Sequence, residues 1–210
     1  MVHTPASMNA ALDHLAAAEP AFARAMEVHG RPGPRVAARG TTALLRTIVG
    51  QQVSVAAAAS MWRKLTGEFG DEPDLARLAA ASDEELRALG QSRQKAGYLR
   101  SLAALTLAGE LDLDQLPQDD EAAIAHLTRV KGIGRWSAEI YLLFAEGRAD
   151  VFPAGDLAVL VELGRLLGPD GRPVEKWRRL RAAPWSPHKG AAAVLAWHSY
   201  NARGLGKEPL

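Results

Sequence analysis

The feature that most constrains this chain is Gly132-Ile133-Gly134, two glycines bracketing one apolar residue between two segments of helical periodicity. Such a pattern builds a tight turn joining two short helices. It gathers backbone N–H groups at the N-terminus of the second helix, where unpaired donors and the helix dipole favour an anion such as a phosphate. Glycine suits the turn because φ > 0 is permitted and because no Cβ holds the backbone away from that anion. Ile133 is expected to point back between the helices, and Lys131 and Arg135 add charge on either side. The same glycines would serve equally as a helix cap in an ordinary αα-turn. Trp136 follows the turn, and 20 positions later a lone acid, Asp156, precedes Leu157-Ala158-Val159. An Asp there is a good N-cap in its own right, and capping also fixes a carboxylate in place.

The rest of the chain reads as helix, rich in Ala, Leu, Arg and Glu and without strand-like alternation. Ser7 caps a first helix, which Pro20 divides from residues 21–28, and Gly30-Arg31-Pro32-Gly33-Pro34 is a loop. Thr41 or Thr42 opens TALLRTIVGQQ, Ser54 caps VAAAASMWRKLTGEF, and Ser82 with Glu85 forms a capping box. Residues 92–108 make an amphipathic helix, 111–117 a linker, and Asp119 or Asp120 opens a helix reaching Leu127. Helices over about 135–146, 157–167 and 188–202, with a basic helix VEKWRRLRA, complete an all-α fold.

Its 210 residues suit one domain built of two small lobes, and 48% hydrophobic content supports a core. Without cysteine, disulfides and cysteine-ligated zinc or iron–sulfur clusters are excluded. The N-terminus does not resemble a secretion signal, and no apolar run approaches the length of a membrane span, so a cytoplasmic location is expected; the chain is expected to act as a monomer. Net charge is +1. Residues 1–120 carry 12 Lys and Arg against 15 Asp and Glu, whereas residues 121–210 carry 13 against 9, so the basic excess lies with the hairpin.

The run Val130-Lys131-Gly132-Ile133-Gly134-Arg135-Trp136-Ser137-Ala138, then Asp150-Val151-Phe152-Pro153 and Asp156, resembles the helix-hairpin-helix DNA glycosylase superfamily, in particular its 3-methyladenine DNA glycosylase II branch. Ile48-Val49-Gly50-Gln51-Gln52-Val53-Ser54 and Gly90-Gln91-Ser92-Arg93-Gln94-Lys95-Ala96 agree with it, so the resemblance covers roughly residues 40–200. It implies two helical lobes with the hairpin at a cleft, one lobe over about 36–115 and the other over about 116–210 with residues 1–35 packed on it.

The resemblance also implies roles. Asp156 takes the place of the catalytic aspartate. Trp136 and Trp197 take the places of base-pocket aromatics, and Ile140 stands where some relatives carry another aromatic. Gln52 aligns with the side chain that wedges into the gap left by a flipped nucleotide. Ser54, Lys95, Lys131, Gly132, Ile133, Gly134 and Arg135 fall on the DNA-binding surface. Relatives that cut the strand carry a nucleophilic lysine at position 136, and a tryptophan cannot form that Schiff base. The expected activity is therefore removal of alkylated bases from duplex DNA in base excision repair, without catalytic metal, iron–sulfur cluster or other cofactor. A structural monovalent cation at the hairpin carbonyls fits the same reading. Two alternatives stand beside it: a non-catalytic helix-hairpin-helix DNA-binding module, and a glycosylase of this fold for deaminated or oxidised bases.

Overall fold

The computed structural model describes residues 4–168 and 181–205. Among them the backbone forms eleven α-helices, one short 3-10 helix and no strand, so the fold is all-α as the periodicity predicts. Most of the expected basic helix VEKWRRLRA, with Trp177, lies outside the described residues. No helix among the described residues is long and apolar enough to cross a membrane.

The chain divides into two compact units, residues 38–138, and residues 1–37 together with 139–210. The N-terminal segment belongs to the same unit as residues 139–210. The boundary, however, falls at 138/139 and not in the 111–117 linker. The reason is that Leu111, Leu113 and Leu116 of that linker are buried. Arg129 also reaches back to the carboxylate and carbonyl of Glu110, and the Lys131 N–H donates to Ser101 Oγ at 3.2 Å.

The 38–138 unit contains α3 (Thr41–Gly50), α4 (Val55–Phe69), α5 (Leu75–Ala80), α6 (Asp83–Ala88), α7 (Arg93–Leu107), α8 (Asp120–Leu127) and the start of α9 (Arg135–Phe144). Its centre is α7, which packs against α3, α5 and α6. Ala96, Leu99, Leu102 and Ala103 of α7 are fully buried, the helical stripe that spacings of three and four produce. Each fully buried leucine of this stripe contributes roughly 1.5–3 kcal/mol. The short helices depend on their caps: Asp74 accepts from the Ala76 and Arg77 N–H groups, and Ser82 and Glu85 form the expected capping box. Helix α5 was not anticipated, because six residues are too few to show a period.

The other unit contains α1 (Pro5–Ala18), α2 (Pro20–His29), α10 (Leu157–Leu167), α11 (Lys189–Ala202), the 3-10 turn Ala183–Trp185 and the remainder of α9. Helix α11 is buried from Gly190 through Trp197 and packs against α1, α2 and α10, so it reads as apolar all round. Gly190 admits close contact: a Cβ there would lie 2.4 Å from Leu143 Cδ1 and 2.8 Å from the Ala149 carbonyl. Phe22 and Phe152 meet Trp185 edge-on, with centroids 5.0 and 5.8 Å away. Thr4, not Ser7, caps α1; Ser7 sits at the third helical position and completes a capping box with it.

Glu162 of α10 is completely buried. It accepts from Arg165, from Ser199 Oγ at 2.7 Å and from Arg203 at 2.8 Å. Burial alone would raise its pKa, but the hydrogen bonds from Arg165, Ser199 and Arg203 outweigh that and hold the carboxyl below its ordinary value of 4.5. A depressed folded pKa stabilises the fold above the unfolded value, and that contribution is lost as pH falls through the folded one. Glu162→Gln is therefore expected to cost about 2 kcal/mol at neutral pH. In thermal melts, its deficit against the wild type should shrink once pH drops below 4.5; a deficit unchanged at acid pH would refute the charge-based account.

Candidate active site

The hairpin lies in the 38–138 unit, between α8 and α9. Ile133 is 3% exposed, so it packs inward as its position predicts. Gly132 has φ +86°, and its Cα is pressed on the Tyr98 ring of α7: a Cβ would stand 2.1 Å from Tyr98 Cδ2. Gly134 differs. Its φ is not positive, a Cβ there would meet nothing within 4 Å, and its carbonyl accepts the Ala138 N–H as the residue preceding α9. Among the described residues no acceptor is assigned to the Gly132 or Gly134 N–H groups, the state in which helix-start amides take an anion.

Lys131 is exposed on the turn. Arg135 is engaged by Glu121 of α8 through both terminal guanidinium nitrogens, so its charge is partly neutralised within the chain. The Val130 carbonyl accepts from Ile133 N–H at 3.0 Å, and the Gly132 carbonyl accepts from Gln51 Nε2 at 2.9 Å; a cation bound here would share oxygens already in use. Trp136 stands one residue into α9 and is 45% exposed, unusual for so large an apolar ring.

Gln52 is exposed in the turn between α3 and α4 with φ +55°, a left-handed conformation rare for a residue with a side chain. Ser54 caps α4 by accepting the Ala57 N–H at 3.2 Å. Lys95 corrects the expectation placed on it. It is 8% exposed, and its Nζ donates to the Val49 carbonyl at 2.8 Å. Burial lowers its pKa, and its cation caps the C-terminal end of α3 instead of standing ready for a phosphate.

In the other unit Asp156 is the N-cap of α10, as the sequence predicts: Oδ1 accepts the Val159 N–H at 3.0 Å. The same oxygen accepts the Trp197 indole N–H at 2.9 Å. Trp197 is 2% exposed and packs on Phe144, centroids 5.6 Å apart, so it offers no open stacking face. Its place is beneath the carboxylate, which it orients. The loop before Asp156 is tied to the start of α11 by Asp150, which pairs with Lys189 Nζ at 2.8 Å and accepts from Ser186 Oγ at 2.9 Å. The Gly190 N–H adds a bond to the Ala149 carbonyl at 2.8 Å. Gly190 and Trp197 are two turns apart on α11, so one helix face supports both the loop and the acid. Ile140 is half-buried on α9 in this unit.

A family model described as HhH-GPD superfamily base excision DNA repair protein matches residues 45–187. DNA-3-methyladenine glycosylase 2 of Escherichia coli (strain K12) is 32% identical over 165 residues, 74% of this chain and 56% of that protein. DNA-3-methyladenine glycosylase 1 of Schizosaccharomyces pombe is 33% identical over 120 residues, 55% of this chain and 53% of that one. The chain thus spans little more than half the length of the curated relatives it matches. The crystal structure of a DNA-3-methyladenine glycosidase from Bacillus halodurans superposes with a TM-score of 0.82 at 26% identity, covering 92% of this chain and 90% of that one. The Schizosaccharomyces pombe 3-methyladenine DNA glycosylase in complex with abasic DNA gives 0.74 at 26% identity, covering 91% and 95%. With the family model matched over most of its length, the chain belongs to the HhH-GPD superfamily of base excision DNA repair proteins.

Proposed function

We propose that this chain is a monofunctional DNA glycosylase that takes alkylated bases of the 3-methyladenine and 7-methylguanine type out of duplex DNA and hydrolyses the N-glycosidic bond. The observation that carries the reading is Asp156, a carboxylate fixed on one oxygen by the Val159 N–H and the Trp197 indole. Breaking an N-glycosidic bond develops positive charge on the sugar, as in glycoside hydrolysis, and a positioned carboxylate stabilises that charge or orients the attacking water. The hairpin amides hold a phosphate, and the half-exposed Trp136 indole supplies an electron-rich face for a flipped cationic base. Alkylated purines already carry positive charge and leave readily, so no metal or cofactor enters the reaction. Trp136 has no amine to attack the sugar, so the reaction stops at the abasic site. The enzyme works as a cytoplasmic monomer on damaged duplex DNA.

The purified chain should release 3-methyladenine and 7-methylguanine from methylated DNA in the presence of a chelator, and borohydride should trap no covalent adduct. A trapped adduct would overturn the monofunctional reading. Release confined to deaminated or oxidised bases in the same panel would move the substrate class. Duplex binding without release of any base would leave a binding module. Trp136→Ala should lower kcat/KM on methylated DNA about tenfold with little change in melting temperature, the loss expected of a cation–π stacking surface.

A further inference from the structure

We propose that Gln51 is a positioning residue that registers the exposed Gln52 turn to the phosphate-binding hairpin, so that seating the backbone phosphate and inserting the turn into the duplex become one event. The inference rests on the DNA-binding reading above. Its starting point is a turn that local forces do not favour. Gln52 holds φ +55° while exposed, and Val53 and Val55 beside it are 39% and 65% exposed. A strained, apolar, solvent-facing turn persists only where its surroundings fix it.

The fixing groups belong to one layer. Lys95, Tyr98 and Ser101 recur every third residue and share a face of α7. Lys95 holds the end of α3 through the Val49 carbonyl, the Tyr98 ring lies under Gly132, and Ser101 Oγ receives the Lys131 N–H. Helix α7 is thus a common floor under both loops. Gln51 joins them directly, Nε2 to the Gly132 carbonyl at 2.9 Å across 81 residues of sequence. The residue next to the wedge therefore donates to the glycine of the phosphate grip. Removing that donor leaves the hairpin on α7 and frees the turn. Backbone binding should survive, while ordering the turn for insertion becomes an added cost of engagement.

The test uses the full chain and a duplex carrying a tetrahydrofuran abasic analogue opposite 2-aminopurine, whose fluorescence rises when the base unstacks. Wild type should raise the signal. Gln51→Ala and Gln51→Glu at about pH 8 should show the insertion equilibrium reduced about fivefold, the loss expected for one hydrogen bond. For Gln51→Ala, affinity for undamaged duplex, dominated by phosphate contacts, should stay within about twofold. Acidification to about pH 5 begins to protonate the introduced carboxyl of Gln51→Glu, which can then donate to the Gly132 carbonyl. That variant should move toward wild type as Gln51→Ala stays low. The isosteric variant carries the test should Gln51→Ala fold poorly. Wild-type signal from both variants overturns the inference, as does a deficit that is equal in both at the two pH values or, in Gln51→Ala, matched by lost affinity for undamaged duplex. A wild type that neither binds duplex nor raises the signal takes down the DNA reading first, and the inference with it.

Discussion

Asp156→Asn is expected to abolish base release from methylated DNA while leaving melting temperature and duplex affinity close to wild type. Oδ1 of Asp156 accepts the Val159 N–H and the Trp197 indole N–H. An asparagine carbonyl can accept both, so the cap and the buried indole remain satisfied. What disappears is the negative charge at the developing cation. Removing one such preorganised stabilising group costs on the order of a hundredfold to a thousandfold in rate. Asp156→Ala is the contrasting variant. It loses the cap, about 1 kcal/mol, and strands a buried indole donor, about 1–3 kcal/mol more. Its melting temperature should fall by roughly 4–16 °C on the scale of about 2–4 °C per kcal/mol for a chain of this size. Single-turnover release assays and thermal melts on both variants separate the roles. Full activity in Asp156→Asn would remove this residue from the chemistry.

Local rules reached those parts of the molecule that are local. The caps at Ser54, Ser82 and Asp156, the inward Ile133 and the all-helical fold follow from spacing and capping chemistry that act over three or four residues. Lys95 and Trp197 were misjudged for a common reason. Each lies on a helix whose sequence shows an apolar stripe without showing what the polar end of the side chain meets. The Lys95 ammonium finds a carbonyl 46 residues earlier, and the Trp197 indole finds a carboxylate 41 residues earlier. Gln51 stood in plain view beside Gln52, but nothing within its own loop assigns its amide to Gly132. The unit boundary escaped for the same cause: a leucine-rich linker looks like a hinge until its leucines are seen to be buried. Long-range partners of polar atoms are a property of the assembled fold.

Gly132→Ala and Gly134→Ala should separate two uses of glycine that the sequence renders identical. At Gly132 alanine meets two penalties. Its φ of +86° is unfavourable for an L side chain, at about 1–2 kcal/mol, and its Cβ would stand 2.1–2.5 Å from the Tyr98 ring. That ring cannot simply yield, because Tyr98 is bonded to Gln94 and lies on the helix that carries the unit's core. Overpacking adds about 1–3 kcal/mol, for a total near 2–5 kcal/mol. The Gln51 acceptor would shift as well, so duplex affinity should fall at temperatures where the variant is still folded. Tyr98→Ala in the same chain should return the overpacking part and leave the φ part, a coupling that a double-mutant cycle reads directly. At Gly134 a methyl group meets only open space, so stability should change by less than about 0.5 kcal/mol. If a phosphate rests on this amide, the same methyl intrudes on it, and duplex affinity should fall about tenfold or more with melting temperature unchanged. Unaltered affinity in Gly134→Ala would mean that the phosphate sits elsewhere, and unaltered melting in Gly132→Ala would mean that the Tyr98 floor is softer than its packing implies.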